Sequence, residues 1–561
     1  MFSRLTRPLL ALAGAVACAL AGTPTAPAWS ADAAVERPRL VVVLSIDQFR
    51  ADYLQRFGDL YLPPKSRDGV GGFRYLMSRG AWYPDCRFAY HRTATGPGHA
   101  TLGTGAQPGL SGIVGNAWWN AQTGKSVYCV DDPNSKVVGA LPGSRETPMS
   151  AANLLTTTVG DELELATGGR SKTVALSLKD RGSILLAGHR ADTVLWFDED
   201  TGAWISSSAY CPSGRLPGWV TALNDRKLPD SLRREPWVPS VDSAALRRVW
   251  PTDGKAPTFS HNLGGSSYGP FTVSPAGNDY VFQSAREAVK AEQLGQDEIP
   301  DILSLNLACN DYVGHRFGPD SAEVLDISVQ TDRMLAEFLR FLNRAVPGGL
   351  SRVTFALSAD HGVASVPELQ AKSGVPASRA IGRDIAAAAE KALDAQIGAA
   401  DWIASSENGE LYFSPRALAA FPQVPRSRAQ EIAAEAVLPV RGVFFAVGRQ
   451  AALSGALPNT EYGRRIGRGV HPSRSGDVIV VLDPHWLPGS AATGTGTSHG
   501  NPFAYDAHVP MLLCGFGVRP GVYSKPVNPA CLAPTLAYLV GTVRPSGAEE
   551  PLLPGLAGVT D

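Results

Sequence analysis

Nine side chains could do polar chemistry together if the fold gathered them: Asp47, Thr95, Lys179, Arg181, Asp311, His315, Asp360, His361 and His499. Three aspartates and three histidines are divalent-metal ligands, and mixed Asp/His sets suit Zn²⁺. Asp311 and His315 are four residues apart, so one helical turn brings both within reach of a single ion. Asp360 and His361 are adjacent, with Gly362 allowing a sharp exit. Two ions about 4 Å apart are the usual arrangement for in-line displacement at phosphorus. Lys179 and Arg181 are cations of the kind that hold phosphoryl oxygens. Thr95 precedes Gly96-Pro97-Gly98, and Pro97 can open a helix without losing a needed N–H. Its hydroxyl would then stand at a helix N-terminus, where backbone N–H groups cradle phosphate or sulfate. Each residue also has a plainer reading. The threonine stretch is a glycine-rich turn before a core helix, Asp47 is a helix cap, Lys179 and Arg181 are a solvated turn, and Asp360-His361 is a structural pair. Six ligands on one inferred edge do not share such readings easily.

The elements that must position them alternate between strand and helix. Residues 40–46, 173–178, 301–308 and 353–358 are continuous apolar runs, the signature of buried parallel strands. Asp47, Lys179, Asp311 and Asp360 follow them, at the carboxyl ends where α/β folds place chemistry. Lys179 and Arg181 point the same way if strand geometry continues through them. Helices are expected over 68–80, closed by Gly80, over 153–167, ending at Gly168-Gly169, over 279–294, and over 321–345, with Asp320 and Glu323 at capping-box spacing. Residues 194–205 read as a hairpin with an Asp/Gly turn. The loop 493–501 delivers His499, and 509–514 is a final strand. The expected fold is α/β, a mostly parallel central sheet with helices on both faces and cap insertions. Its expected parts are core segments 38–190, 300–370 and 476–561, an insertion 190–300 and a cap insertion 370–475.

The chain has 561 residues, 44% hydrophobic and 18% charged, with a net charge of −1. That length exceeds one ordinary core. A near-neutral surface gives no argument for nucleic acid or an anionic membrane as partner. Residues 1–30 have the order of a secretory signal: Arg4 and Arg7, an apolar run from 9 to 20, then small residues before Ala31. The run is too short to span a bilayer comfortably, so a periplasmic or secreted protein is expected. Cys18 as a lipid anchor fits its flanks poorly. Six cysteines remain after the signal, and an even number in an exported protein permits disulfides. Oligomeric state is open, a monomer included.

The motifs also resemble the alkaline phosphatase superfamily, specifically its exported bacterial monoesterases with a threonine nucleophile. The resemblance rests on Ser-Ile-Asp47, Thr95-Gly-Pro-Gly-His, Gly-Ile-Val-Gly-Asn116, Ser-Leu-Lys179-Asp-Arg181, Asp311-Tyr-Val-Gly-His315, Ala-Asp360-His361-Gly and Ser-His499-Gly. It implies two zinc ions. One takes Asp311, His315 and His499; the other takes Asp47, Asp360 and His361, with Thr95 as fourth ligand. It further implies that Asn116, Lys179 and Arg181 hold the phosphoryl oxygens of a small-molecule phosphate monoester, and that Thr95 becomes a phosphothreonine. His99 is read as supporting the turn, since both ligand sets are complete without it. The alternatives are a nucleotide phosphodiesterase of the same superfamily, or a non-catalytic exported metal-binding protein. Two cations favour the monoester, which carries one more negative charge than a diester. A non-enzyme would lack a ligand or the nucleophile, and none is missing.

Overall fold

The computed structural model describes residues 36–249, 258–489 and 494–559. The expected signal segment, with Cys18, lies outside the described residues. Ten strands make the central sheet: β1 Leu40–Ile46, β2 Ala81–Trp82, β3 Val137–Val138, β4 Thr173–Ser177, β5 Thr193–Asp198, β6 Ala203–Ser207, β7 Asp301–Leu307, β8 Val353–Ser358, β9 Met511–Gly515 and β10 Gly521–Val522. Their order is β10-β2-β9-β8-β1-β7-β4-β5-β6-β3. The middle five, β8-β1-β7-β4-β5, run parallel. Strands β9, β6 and β3 join antiparallel to their neighbours.

The middle strands are parallel because they are buried on both faces. Every residue of β1, Leu-Val-Val-Val-Leu-Ser-Ile, is buried, and such runs tolerate no solvated face. At their carboxyl ends the apolar register gives way to a polar row: Ser45 lies beside Asn306 and Ser358, and Asn306 beside Ser177. Ser177 donates to Asn306 Oδ1 at 2.7 Å, and the Lys179 N–H donates to Ser177 Oγ at 2.9 Å. The sheet therefore changes from hydrocarbon to hydrogen-bonding groups at the level from which Asp47, Lys179, Asp311 and Asp360 project.

One face is covered by α1 Thr95–Thr104, α2 Val159–Thr167, α3 Asp180–Ala187 and a C-terminal helix, Leu532–Val540. The other is covered by α4 Pro275–Ala291, α5 Cys309–Phe317 and α6 Ala322–Ala345. The two sides are told apart by side-chain alternation: a Cβ at Gly182 in α3 would meet Asn306 and Ser177, whereas one at Gly277 in α4 would meet Leu178 and Cys309.

Several boundaries differ from expectation. The helix at 73–79 begins later than 68, with its C-cap at Gly80 as expected. Helix α2 starts at Val159, not 153, because Thr158 and Asp161 form a capping box there. Helix α4 spans 275–291, opened by the Ser274 cap and Pro275. Helix α6 is capped by Ser321, whose hydroxyl accepts from the Val324 N–H. Asp320 instead pairs with Arg56 and accepts from Ser365. The hairpin at 194–205 is present, but its strands β5 and β6 extend the central sheet. The expected insertion at 190–300 therefore opens with two core strands. Strand Val478–Leu482, expected in the core, belongs to a separate four-stranded antiparallel sheet with Ile403–Glu407, Glu410–Phe413 and Val443–Gly448. This sheet, packed against helices Gly382–Gln396 and Arg426–Val437, is the cap, and it runs past residue 475. Its first two strands turn at Asn408-Gly409, both at positive φ, as a type I′ hairpin requires. All six described cysteines are buried and unpaired. No helix among the described residues is long and apolar enough to cross a membrane.

Candidate metal centre and nucleophile

The fold delivers the nine residues from six places. Asp47 leaves β1, Lys179 follows β4 and Arg181 lies in the first turn of α3. Asp311 and His315 sit one turn apart on α5, Asp360 and His361 leave β8, and a coil brings His499. Thr95 is the first residue of α1. That helix presses hard on the ligand loop: a Cβ at Gly98 would come within 2.2 Å of the Asp360 carbonyl oxygen, so only glycine fits.

Two groups of ligand atoms lie within reach of an ion, Asp311 with His361 and His499, and Asp47 with His99 and Asp360. His361 Nε2 stands between them, 3.2 Å from Asp360 Oδ2, 3.6 Å from Asp47 Oδ1 and 3.4 Å from Thr95 Oγ1. His315 Nε2 is 3.1 Å and His499 Nε2 3.9 Å from Asp311 Oδ1. His99, read from sequence as turn support, does hold the Thr95 carbonyl through Nδ1 at 3.0 Å. The same nitrogen is 3.4 Å from Asp360 Oδ2, which brings this ring into the second group.

The donor set fits cations. The Nδ1 atoms of His315, His361 and His499 each face a backbone carbonyl, of Thr497, Gly362 and Thr93, at 2.8, 2.9 and 2.9 Å. A carbonyl has only lone pairs to offer, so each Nδ1 carries the proton. In its neutral form each ring turns the Nε2 lone pair toward the carboxylates, the arrangement that fixes a metal-binding tautomer. Asp47 Oδ1 and Asp360 Oδ2 are buried without a hydrogen-bond partner.

Charge in the cluster is unbalanced. Burial and the neighbouring Asp360 push Asp47 up to about 8. Burial opposes a charge on His361, but Asp360, then Asp47 and Asp311, outweigh it and push the ring up to about 9. Burial likewise opposes ionisation of Asp311, yet His315 and Lys179 hold it well below the usual carboxylate range. Three buried carboxylates facing one ammonium thus hold protons on Asp47 and His361, and bound cations would supply positive charge in their place.

Lys179 is that ammonium. Its Nζ lies 2.9 Å from Asp47 Oδ2 and 2.5 Å from Asp311 Oδ2, so it bridges the two ligand sets. Strand geometry does not continue to Arg181 as expected: Lys179 is the extended N-cap of α3, and Arg181 is already helical. Arg181 instead donates from Nη1 to the Tyr128 hydroxyl at 2.8 Å, and Tyr128 donates to Asp180 at 2.7 Å. Asn116 Oδ1 accepts the Gly96 N–H at 2.8 Å. That bond occupies part of the expected N-terminal cradle, and Asn116 also lines the adjoining cavity.

Two contributors carried no sequence signal. Gln48, at a positive φ of 61°, donates from Nε2 to Asp311 Oδ1 at 2.6 Å and from its backbone N–H to Asp360 Oδ1 at 3.1 Å. The absent Cβ of Gly314 leaves room for its amide. Tyr312 places its ring 4.9 Å from Lys179 Nζ. Both act across the sheet, through contacts that no local pattern records.

The profile of the type I phosphodiesterase / nucleotide pyrophosphatase family matches residues 41–502, a span that contains every residue of the cluster. The chain belongs to that family. Alkaline phosphatase PhoV of Synechococcus elongatus is 34% identical to this chain over 92% of each. Alkaline phosphatase PafA of Elizabethkingia meningoseptica is 35% identical over 92% of this chain and 94% of its own. The wild-type PafA crystal structure superposes with a TM-score of 0.85, covering 94% of this chain and all of that one. A Myroides odoratus relative, 33% identical over 91% of this chain and 93% of its own, is named a calcium-transporting ATPase. The α/β fold and the membership in the alkaline phosphatase superfamily expected from the motifs are both borne out.

Proposed function

We propose that the chain is an exported alkaline phosphatase that hydrolyses phosphate monoesters at a pair of zinc ions, through a phosphothreonine on Thr95. The observation that carries this reading is convergence on one hydroxyl. Thr95 Oγ1 heads a buried helix beside His361, with two Asp/His groups and a buried lysine around it. The relatives named alkaline phosphatases support it, and a solved PafA variant carries substitutions of a threonine, an asparagine, a lysine and an arginine, the residue types of Thr95, Asn116, Lys179 and Arg181 in the same order.

Asp311, His315 and His499 would hold one ion; Asp47, Asp360, His361 and Thr95 the other. Bound zinc would supply Lewis-acid charge that lowers the pKa of the threonine hydroxyl and neutralises the departing oxygen. Thr95 Oγ1 forms a bond to phosphorus as the ester oxygen leaves, and water cleaves the phosphothreonine in a second displacement. Asn116, oriented by the Gly96 N–H, donates its amide hydrogens to a phosphoryl oxygen. Arg181, braced by Tyr128, and Lys179 hold charge that gathers on the equatorial oxygens. Gln48 keeps Asp311 and Asp360 in register.

The family description also covers diesterases. Two cations at the site favour the dianionic monoester over them. The ATPase name of one relative draws no support from the described residues, which contain no candidate membrane span. The test is the rate ratio for p-nitrophenyl phosphate over its bis ester, with metal analysis of the same sample. We expect a large excess for the monoester, two zinc ions per chain, and loss of activity in EDTA that zinc restores. Comparable rates on the two esters would overturn the monoesterase reading.

A further inference from the structure

A cavity of about 660 Å³ opens in front of His315 and His499. Asn116 and the two histidines form its core side. Ile385, Leu411, Val480, Leu482 and Pro488 form an apolar wall on the cap side. In-line attack expels the leaving oxygen away from the nucleophile. Thr95 stands with the Asp47 and Asp360 group, so the alcohol portion of an ester departs toward the Asp311 group and into this cavity.

Among the described residues, no carboxylate lines the cavity, and Arg92 is its one permanent cation. The Arg92 guanidinium sits where the cap meets the catalytic loop. A Cβ at Gly409, in the cap hairpin turn, would come 2.5 Å from Nη2, and one at Gly500, next to His499, would come 3.2 Å from Nη1. Both glycines have positive φ, 74° and 113°, so neither position readily takes a side chain that would crowd the cation. Glu410 and Asp506 act on Arg92 only from beyond ion-pair distance. One oxygen of each is engaged elsewhere: Glu410 Oε2 takes the Gly476 N–H and the Tyr412 hydroxyl, and Asp506 Oδ2 takes the Asn501 N–H. A half-buried guanidinium facing a cavity without a carboxylate on its wall favours an anionic ligand, which it can grip through two parallel N–H bonds.

We propose that this cavity is a leaving-group subsite in which Arg92 binds a second anionic group, a carboxylate or phosphate carried by the alcohol portion of the ester. The inference rests on the phosphatase reading and narrows its substrate class to phosphate monoesters whose leaving group is itself an acid. The apolar wall takes the carbon skeleton, and Arg92 takes the second charge.

The test compares two nearly isosteric substrates of the zinc-loaded full chain, 4-carboxyphenyl phosphate and 4-carbamoylphenyl phosphate. A charge-assisted contact predicts a kcat/KM ratio of roughly ten in favour of the carboxylate. Arg92→Met should bring that ratio close to one, and Arg92→Lys should retain part of it. The ratio is internal to each variant, so a common loss of activity does not affect it. A measurement on the wild type alone covers the case in which a variant does not fold. In that assay, 4-hydroxybenzoate should inhibit p-nitrophenyl phosphate cleavage several-fold better than 4-hydroxybenzamide. A wild-type ratio near one, an unchanged ratio in Arg92→Met, or equal inhibition by the two phenols overturns the subsite and leaves the phosphatase reading standing. A wild-type chain that cleaves neither ester overturns both.

Discussion

Gln48 gives the sharpest test of the centre, because it reaches both ligand groups and never touches substrate in the proposed mechanism. Its amide donates to Asp311 Oδ1 at 2.6 Å, while its backbone N–H donates to Asp360. Gln48→Met removes the amide and keeps the length and the main-chain bond. A buried hydrogen bond to a charged group is worth about 1.5–3 kcal/mol, and 1.4 kcal/mol is about a factor of ten in affinity. The expected result is a roughly 10- to 100-fold weaker hold on one of two ions, the one served by Asp311, in line with the usual effect of removing a partner of a ligand. The ion served by Asp47 and Asp360 should be retained, because the backbone N–H remains. Gln48→Gly serves as a control: it also lacks the amide but relieves the left-handed backbone at φ 61°. It should show the same metal defect with a higher melting temperature than Gln48→Met. The assay is competition with a chromophoric chelator, read as occupancy of two sites in turn. Two ions bound with wild-type affinity in both variants would refute the role of the amide. Equal weakening of both ions would refute its assignment to Asp311.

Thr95→Ala should lower kcat/KM for p-nitrophenyl phosphate by at least about a thousandfold and abolish the phosphoryl adduct seen by intact-mass measurement after acid quench; a surviving adduct would point to another nucleophile. Tyr128→Phe removes the hydroxyl that braces Arg181 and should cost about 5- to 20-fold in kcat/KM on the monoester, with a smaller effect on the diester; equal losses on both would show that Arg181 does not read the extra charge. Leu44→Ala, fully buried on β1 between β7 and β8, should lower unfolding stability by about 2–5 kcal/mol, measured by denaturant titration, and a change below 1 kcal/mol would mean the sheet core refills the space.

The site was legible where chemistry and local pattern coincide. Buried parallel strands read as unbroken apolar runs, and these runs mark Asp47 after β1 and Asp360 after β8 as strand-end residues. Asp311 and His315 were marked by helical spacing, which α5 supplies. Strand alternation pairs Lys179 with Arg181 for a reason that fails, since α3 begins between them; the N-cap geometry of Lys179 and the first helical turn at Arg181 set their directions. Two segments show why domain borders were harder. Val194 to Phe197 is as apolar as any core strand and does lie in the central sheet. Val478 to Leu482 looks the same and lies in the cap. An apolar run announces burial but not which sheet buries it. Gln48, Tyr128 and Arg92 act through contacts with residues far off in the chain, and single-chain periodicity holds no trace of such pairings.

The three imidazoles of the centre are aimed by the carbonyls of Thr93, Gly362 and Thr497. Every amino acid carries that group. The parts that steer the ligands are therefore written into the path of the main chain and not into any side-chain identity. A mutational scan would not isolate this contribution: replacements keep the carbonyl oxygen and report instead on other contacts, the 2.2 Å approach of a Gly362 Cβ to the Tyr505 carbonyl oxygen and the hydroxyl bonds of Thr93 and Thr497. Only a change that moves the trace itself, an insertion in the loop before His499 or a backbone ester in place of an amide, would expose the contribution.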